Sequence, residues 1–170
     1  ALLLPKYAVD LKKAGLQRVN VSLDCLNPQK YAEITRGGNI QDVYRGLAAA
    51  SEAGLSPIKL NCVIEGSSEE TDAKEVGEFG LKNGYQVRFI HKMDLENGYF
   101  KPVEGGDGGN CVSCNRLRLT SNGQIKPCLF STRSYSVRKL GPKEALLEAL
   151  DKKPKCGGLN PEGSFYGIGG

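Results

Sequence analysis

The sequence predicts an α/β fold, and three observations predict it. Helix-like and strand-like periodicities alternate through the first half of the chain. Their spacing suits parallel strands joined by crossover helices. Each strand is also polar on one parity. Parallel strands covered on both faces would be nearly all apolar. The recurrent polar parity therefore favours a partial barrel with a wet, ligand-filled lumen over a plain three-layer sheet.

The elements follow in order. Residues 5–14 read as a helix, with Pro5 in the first turn and Gly15 placed to close the C-terminus. Residues 17–24 alternate: Val19, Val21 and Leu23 share one face, and Arg18, Asn20, Ser22 and Asp24 share the other. A second helix runs from about Ile40 to Ala53, capped by Asn39 and followed by Gly54. Residues 57–64 make the next strand, with Ile58, Leu60, Cys62 and Ile64 opposite Lys59 and Asn61. A third helix covers about 69–82 and ends at Asn83-Gly84. The third strand is 85–93, where Arg88 has the opposite parity to Val87 and Phe89. The opening helix, with only three strands after it, reads as the back part of a larger enzyme.

Residues 94–110 have no periodicity and read as a linker. Their Gly-Gly-Asp-Gly-Gly run lacks the preceding strand, the following helix and the Lys-Ser/Thr pair of a phosphate loop. The boundary between a first domain, 1–95, and a second, 96–170, falls here. Residues 142–152 make a short amphipathic helix, and 153–170 form a Gly- and Pro-rich tail ending in Gly169-Gly170.

Composition excludes several classes. With 39% hydrophobic and 25% charged residues the chain is globular, and it has no apolar run of membrane-spanning length. A net charge of +4 is too weak to argue for nucleic acid. Six cysteines and an N-terminus unlike a signal peptide predict a reducing compartment, the cytoplasm, and metal ligation rather than disulfides. Cys25 and Cys62 fit ordinary buried thiols.

The chemistry concentrates in residues 111–130. Cys111 and Cys114 stand two residues apart, and Cys128 follows thirteen residues later. Between them lie Arg116, Arg118 and an Asn122-Gly123 turn flanked by strand-like residues. This predicts a β-hairpin of about 116–120 and 124–130 that folds Cys128 back toward the other two. Three converging thiolates can hold zinc or an iron–sulfur cluster, and spacing alone does not choose between them. His91 and Cys156 are the remaining candidates for a fourth ligand. Without one, a cluster would keep one iron open to substrate.

The order RVNVSLD, PIKLNCVI, VRFIHKM, C-x2-C-NRLRLT-x-NG-x3-PCLF and a terminal IGG resembles the GTP 3′,8-cyclases of molybdenum cofactor biosynthesis (molybdenum cofactor biosynthesis protein A), in the radical S-adenosylmethionine superfamily. The likeness runs along essentially the whole chain. It implies the C-terminal part of an incomplete (β/α)6 TIM-like barrel, followed by a β-hairpin iron–sulfur segment. By the same resemblance, Cys111, Cys114 and Cys128 would ligate a 4Fe–4S cluster. Lys59, Arg116 and Arg118 would bind GTP; Ser22, Asn61, Arg88 and Met93 would lie on the S-adenosylmethionine side. Gly169 and Gly170 would form a tail reaching into the active site, where only glycine lets a backbone pass so close to a ligand. The implied reaction converts GTP to 3′,8-cyclo-7,8-dihydro-GTP by radical chemistry.

Two departures stand out. His91 and Lys92 replace the Glu and Phe of the family's RFIEFM, which changes the charge near the cofactor. The radical motif C-x3-C-x2-C does not occur in the 170 residues. The chain alone is therefore expected to carry no catalytic residue and to be inactive. Uncovered apolar surface would favour self-association, with a homodimer as the simplest form. The competing expectations are the auxiliary-cluster part of another radical enzyme and a non-catalytic zinc-binding domain.

Overall fold

The computed structural model describes residues 1–93 and 100–157. The chain divides into two compact units: residues 1–92 with 102–107, and residues 93–101 with 108–170.

The first unit holds α1 (Leu4–Lys13), β1 (Val19–Ser22), α2 (Pro28–Ile34), α3 (Ile40–Glu52), β2 (Ile58–Ile64), α4 (Thr71–Asn83) and β3 (Gln86–His91). The strands form a parallel sheet in the order β1-β2-β3. The expected helices and strands are present, each within a few residues of its predicted bounds. The sheet is consistent with part of a barrel. Asn39 caps α3 by accepting the Gln41 amide at 2.9 Å. Gly84, in the left-handed region, closes α4.

The periodicity reading passes over 25–39, where the structure has α2. Asn27 accepts the amides of Gln29 and Lys30, both at 3.0 Å, and Pro28 opens the helix. Asn followed by Pro is the sequence signal for such a start.

One face of the sheet is the core. Val21, Ile58, Leu60, Cys62 and Ile64 pack with Ile40, Val43, Leu47 and Ala50 of α3 and with Ala73 and Val76 of α4. Leu60 is 0% exposed, so truncation to Ala there would cost about 2–5 kcal/mol. Cys25 and Cys62 are both fully buried free thiols, as expected. Burial pushes the Cys62 thiol up to about 12, so it stays protonated.

The segment 102–107 is not a plain linker. Glu104 pairs with Phe89 through two backbone hydrogen bonds of 3.0 Å and so occupies part of the free edge of β3. Gly105 has φ +76°, and a Cβ there would meet the Val87 carbonyl oxygen at 2.5 Å. Gly105 therefore serves close backbone approach to a strand.

The second unit contains β4 (Arg118–Leu119), β5 (Gln124–Lys126), β6 (Tyr135–Ser136), α5 (Val137–Leu140) and α6 (Pro142–Asp151). The three strands form an antiparallel sheet in the order β4-β5-β6. The hairpin forms about the Asn122-Gly123 turn, but its strands are shorter than predicted. Arg116 precedes β4, and β5 stops at Lys126 because Pro127 has no amide proton for the ladder. The helix at 142–152 is present as α6; Ala145 and Ala149 bury against Ile125 of the hairpin, with Leu117, Tyr135 and Val137 around them. Gly169 and Gly170 lie outside the described residues, as do residues 94–99 of the linker.

Candidate functional site

The polar parity of the first sheet lies on the face opposite the core. Register places Ser22 beside Asn61, and Asn61 beside Arg88. Residues in register on neighbouring strands share a face at about 4.8 Å spacing. The three thus form a row across β1, β2 and β3. A second row runs Asn20, Lys59, Gln86. Asn20 and Ser22 are exposed, and Lys59, Asn61 and Arg88 are half-buried. Met93 lies just beyond β3 and is 41% exposed.

Asn61 carries the most informative atom of this face. Its Oδ1 is buried and has no hydrogen-bond partner among the described residues. Such an orphan costs about 1–3 kcal/mol unless something donates to it. Together with the Ser22 hydroxyl and the Arg88 guanidinium, it offers an acceptor, a group of either sense and a cation in one line. That set suits a ligand with both donors and a carboxylate.

Asp24 follows β1 and supports this face. Its Oδ1 accepts the Val63 amide at 2.8 Å, fixing the end of β1 to β2. The alternation shows its parity but not this bond.

The two departures from the family pattern resolve differently. His91 has the parity of Val87 and Phe89, so it faces the core and not the row containing Arg88. It is 8% exposed, and its Nε2 lies 3.0 Å from Glu104 Oε1. Lys92 is exposed and pairs with Glu65 at 2.9 Å. His91 thus does not face the row, whereas Lys92 has the parity of Arg88 and its charge is paired with Glu65. Glu104 carries no periodic signal, because its partner is reached by an isolated bridge.

The second unit holds the three-cysteine segment. The Cys114 amide donates to the Cys111 carbonyl at 3.2 Å, making the Cys-x-x-Cys turn. Cys128 lies on the turn after Pro127, where its carbonyl accepts the Ser131 amide at 3.2 Å. All three thiols are free; Cys111 and Cys128 are half-buried and Cys114 is exposed. The Cys114 thiol is held below its ordinary value, first by the Arg116 amide and then by the Lys153 ammonium. A thiolate-favouring position at Cys114 suits a ligand to a metal or cluster. Among the described residues, no three Cys, His, Asp or Glu side chains stand close enough to hold a metal ion. Cys156, the other fourth-ligand candidate, is exposed at the end of the described tail.

Arg116 is exposed and Arg118 half-buried. Thr120 locks the hairpin end beside them, its Oγ1 accepting the Gln124 amide at 2.9 Å. Lys153 donates to the carbonyls of Arg116 and Pro127, each at 2.8 Å. Nothing in the sequence pattern pointed to this lysine. No described helix is long and apolar enough to cross a membrane.

Residues 1–78 match the radical SAM superfamily. The chain is also similar to GTP 3′,8-cyclases. It is 33% identical to that of Thermodesulfovibrio yellowstonii (strain ATCC 51303 / DSM 11347 / YP87) over 207 residues, covering 91% of this chain and 64% of the relative. It is 35% identical to that of Alkaliphilus oremlandii (strain OhILAs), covering 91% and 63%, and 36% identical to that of Peptoclostridium acidaminophilum, covering 91% and 62%. The chain spans a little under two thirds of the length of those curated relatives.

Proposed function

We propose that this chain serves the GTP 3′,8-cyclase reaction of molybdenum cofactor biosynthesis, a lyase reaction of radical S-adenosylmethionine chemistry. The observation that carries the reading is the cross-strand row. Ser22, Asn61 and Arg88 come from three separate motifs, yet register sets them side by side. The buried Asn61 Oδ1, without a partner among the described residues, is the kind of atom a bound cofactor would satisfy.

Each residue has a distinct part. Arg88 would hold the methionyl carboxylate, Asn61 would accept a cofactor N–H or O–H, and Ser22 would complete the row. Met93 would line the same side with apolar surface. Lys59, Arg116 and Arg118 would bind the phosphates of GTP through charge-assisted hydrogen bonds. Cys111, Cys114 and Cys128 would ligate a 4Fe–4S cluster. When bound, the cluster supplies an iron with a free position for the guanine of GTP. Gly169 and Gly170, which lie outside the described residues, would by the same resemblance belong to the active-site tail. Fixed geometry and exclusion of water are what these residues contribute to the reaction.

The row is tested by titrating S-adenosylmethionine into the protein by calorimetry. Arg88→Ala should weaken binding about 10- to 100-fold, the loss of one charge-assisted bond. Asn61→Leu should weaken it up to about tenfold. Unchanged affinity in both variants would remove the row from the cofactor site. Metal analysis separates the cluster from zinc: anaerobically prepared protein should contain iron and acid-labile sulfide. Zinc without sulfide would refute the cluster.

A further inference from the structure

We propose that Lys153 is the positioning residue of the three-cysteine site, clasping the Cys-x-x-Cys turn to the Pro127–Cys128 turn and fixing one positive charge beside the Cys114 sulfur. The inference rests on the reading that Cys111, Cys114 and Cys128 hold an iron–sulfur cluster.

The geometry is local to the second unit. Lys153 Nζ donates to the Arg116 carbonyl at 2.8 Å and to the Pro127 carbonyl at 2.8 Å, and lies 3.7 Å from Cys114 Sγ. An ammonium has three protons, and three groups of the two turns surround this one. Arg116 lies two residues after Cys114, and Pro127 immediately precedes Cys128. One side chain thus spans two segments that must meet for their thiolates to share a cluster.

The lysine is itself held in place. Its amide donates to the Leu150 carbonyl at 3.2 Å, closing the end of α6. That helix is anchored by buried Ala145 and Ala149. Lys152 points its charge elsewhere, pairing with Asp151 at 2.6 Å. It cannot take over the role without breaking that pair.

Groups just outside a metal's ligands orient them and tune the metal, and their loss commonly costs about 10- to 100-fold in affinity. A cation near one ligand sulfur also favours the more negative, reduced state of a cluster and so raises its potential.

The test uses the full chain reconstituted anaerobically with ferrous iron and sulfide. Iron and sulfide are counted, cluster loss to a chelator is timed, and the potential is followed by electron paramagnetic resonance. Lys153→Met should lose its cluster roughly 10- to 100-fold faster, and the remaining cluster should reduce at a more negative potential. Lys152→Met should match wild type. Lys153→Arg keeps the charge but not three protons on one atom. It should recover the potential while still losing iron faster. Wild-type retention and potential in Lys153→Met would overturn the inference. Should that variant lose its helical signal, Lys153→Arg decides, and wild-type retention there overturns the clasp. Wild type without iron would sink the cluster reading and this inference with it. Cys128→Ala losing iron while Lys153→Met keeps it would overturn this inference alone.

Discussion

At the residue scale the decisive contrast is between charged groups that are already paired and those that are free to act. Lys92 is tied to Glu65, and His91 to Glu104. Arg116 and Arg118 have no carboxylate partner among the described residues' ion pairs, so their charge is available to an anion. Each arginine–phosphate bond is worth about 1.5–3 kcal/mol. Arg116→Ala or Arg118→Ala should therefore weaken GTP about 10- to 100-fold and guanosine little. Parallel titrations of GTP, GDP and guanosine would measure this. Equal affinity of the unmodified protein for GTP and guanosine would eliminate the phosphate role.

Elements set where such residues can point. α4 begins without a side-chain cap from its N-cap residue to its own amides, because Glu70 turns back instead. Its Oε1 accepts the amides of Gly66, Ser67 and Glu65 and closes the loop between β2 and α4. Those amides, Gly66 first, hold the Glu70 carboxyl below its ordinary value. A depressed carboxyl contributes stability that is present above its unfolded value and is lost as pH falls through the folded one. Glu70→Gln should accordingly be less stable than wild type at neutral pH. The difference should close on acidification below the ordinary carboxylate value of 4.5. Urea midpoints of both proteins across pH would show it, and a gap constant with pH would refute it.

At the scale of the whole molecule, two separate cores divide the chain. The first gathers the sheet with α3 and α4; the second rests on Ile125, Ala145 and Ala149. The second is the smaller, so cluster ligation should matter more to it. Removing iron, or making Cys128→Ala, should speed amide exchange in residues 108–153 and leave β1, β2 and β3 protected. Hydrogen exchange by mass spectrometry reads both units at once. Equal loss of protection in both would contradict separate cores.

The periodicity of Val19–Leu23, Ile58–Ile64 and Val87–Phe89 was enough to determine the parallel α/β order and which face is buried. A side chain's parity follows from backbone geometry and needs no partner. Cysteine spacing and the Asn122-Gly123 turn determined the hairpin by the same local logic. The row of Ser22, Asn61 and Arg88 needed the tertiary structure, because register between strands depends on how whole faces pack. The same holds for Glu104 on the edge of β3 and for Lys153 between two turns. Neither residue repeats with any period, and each meets partners distant in sequence. Contacts of that kind arise only when the cores have formed, and they leave no trace in local pattern.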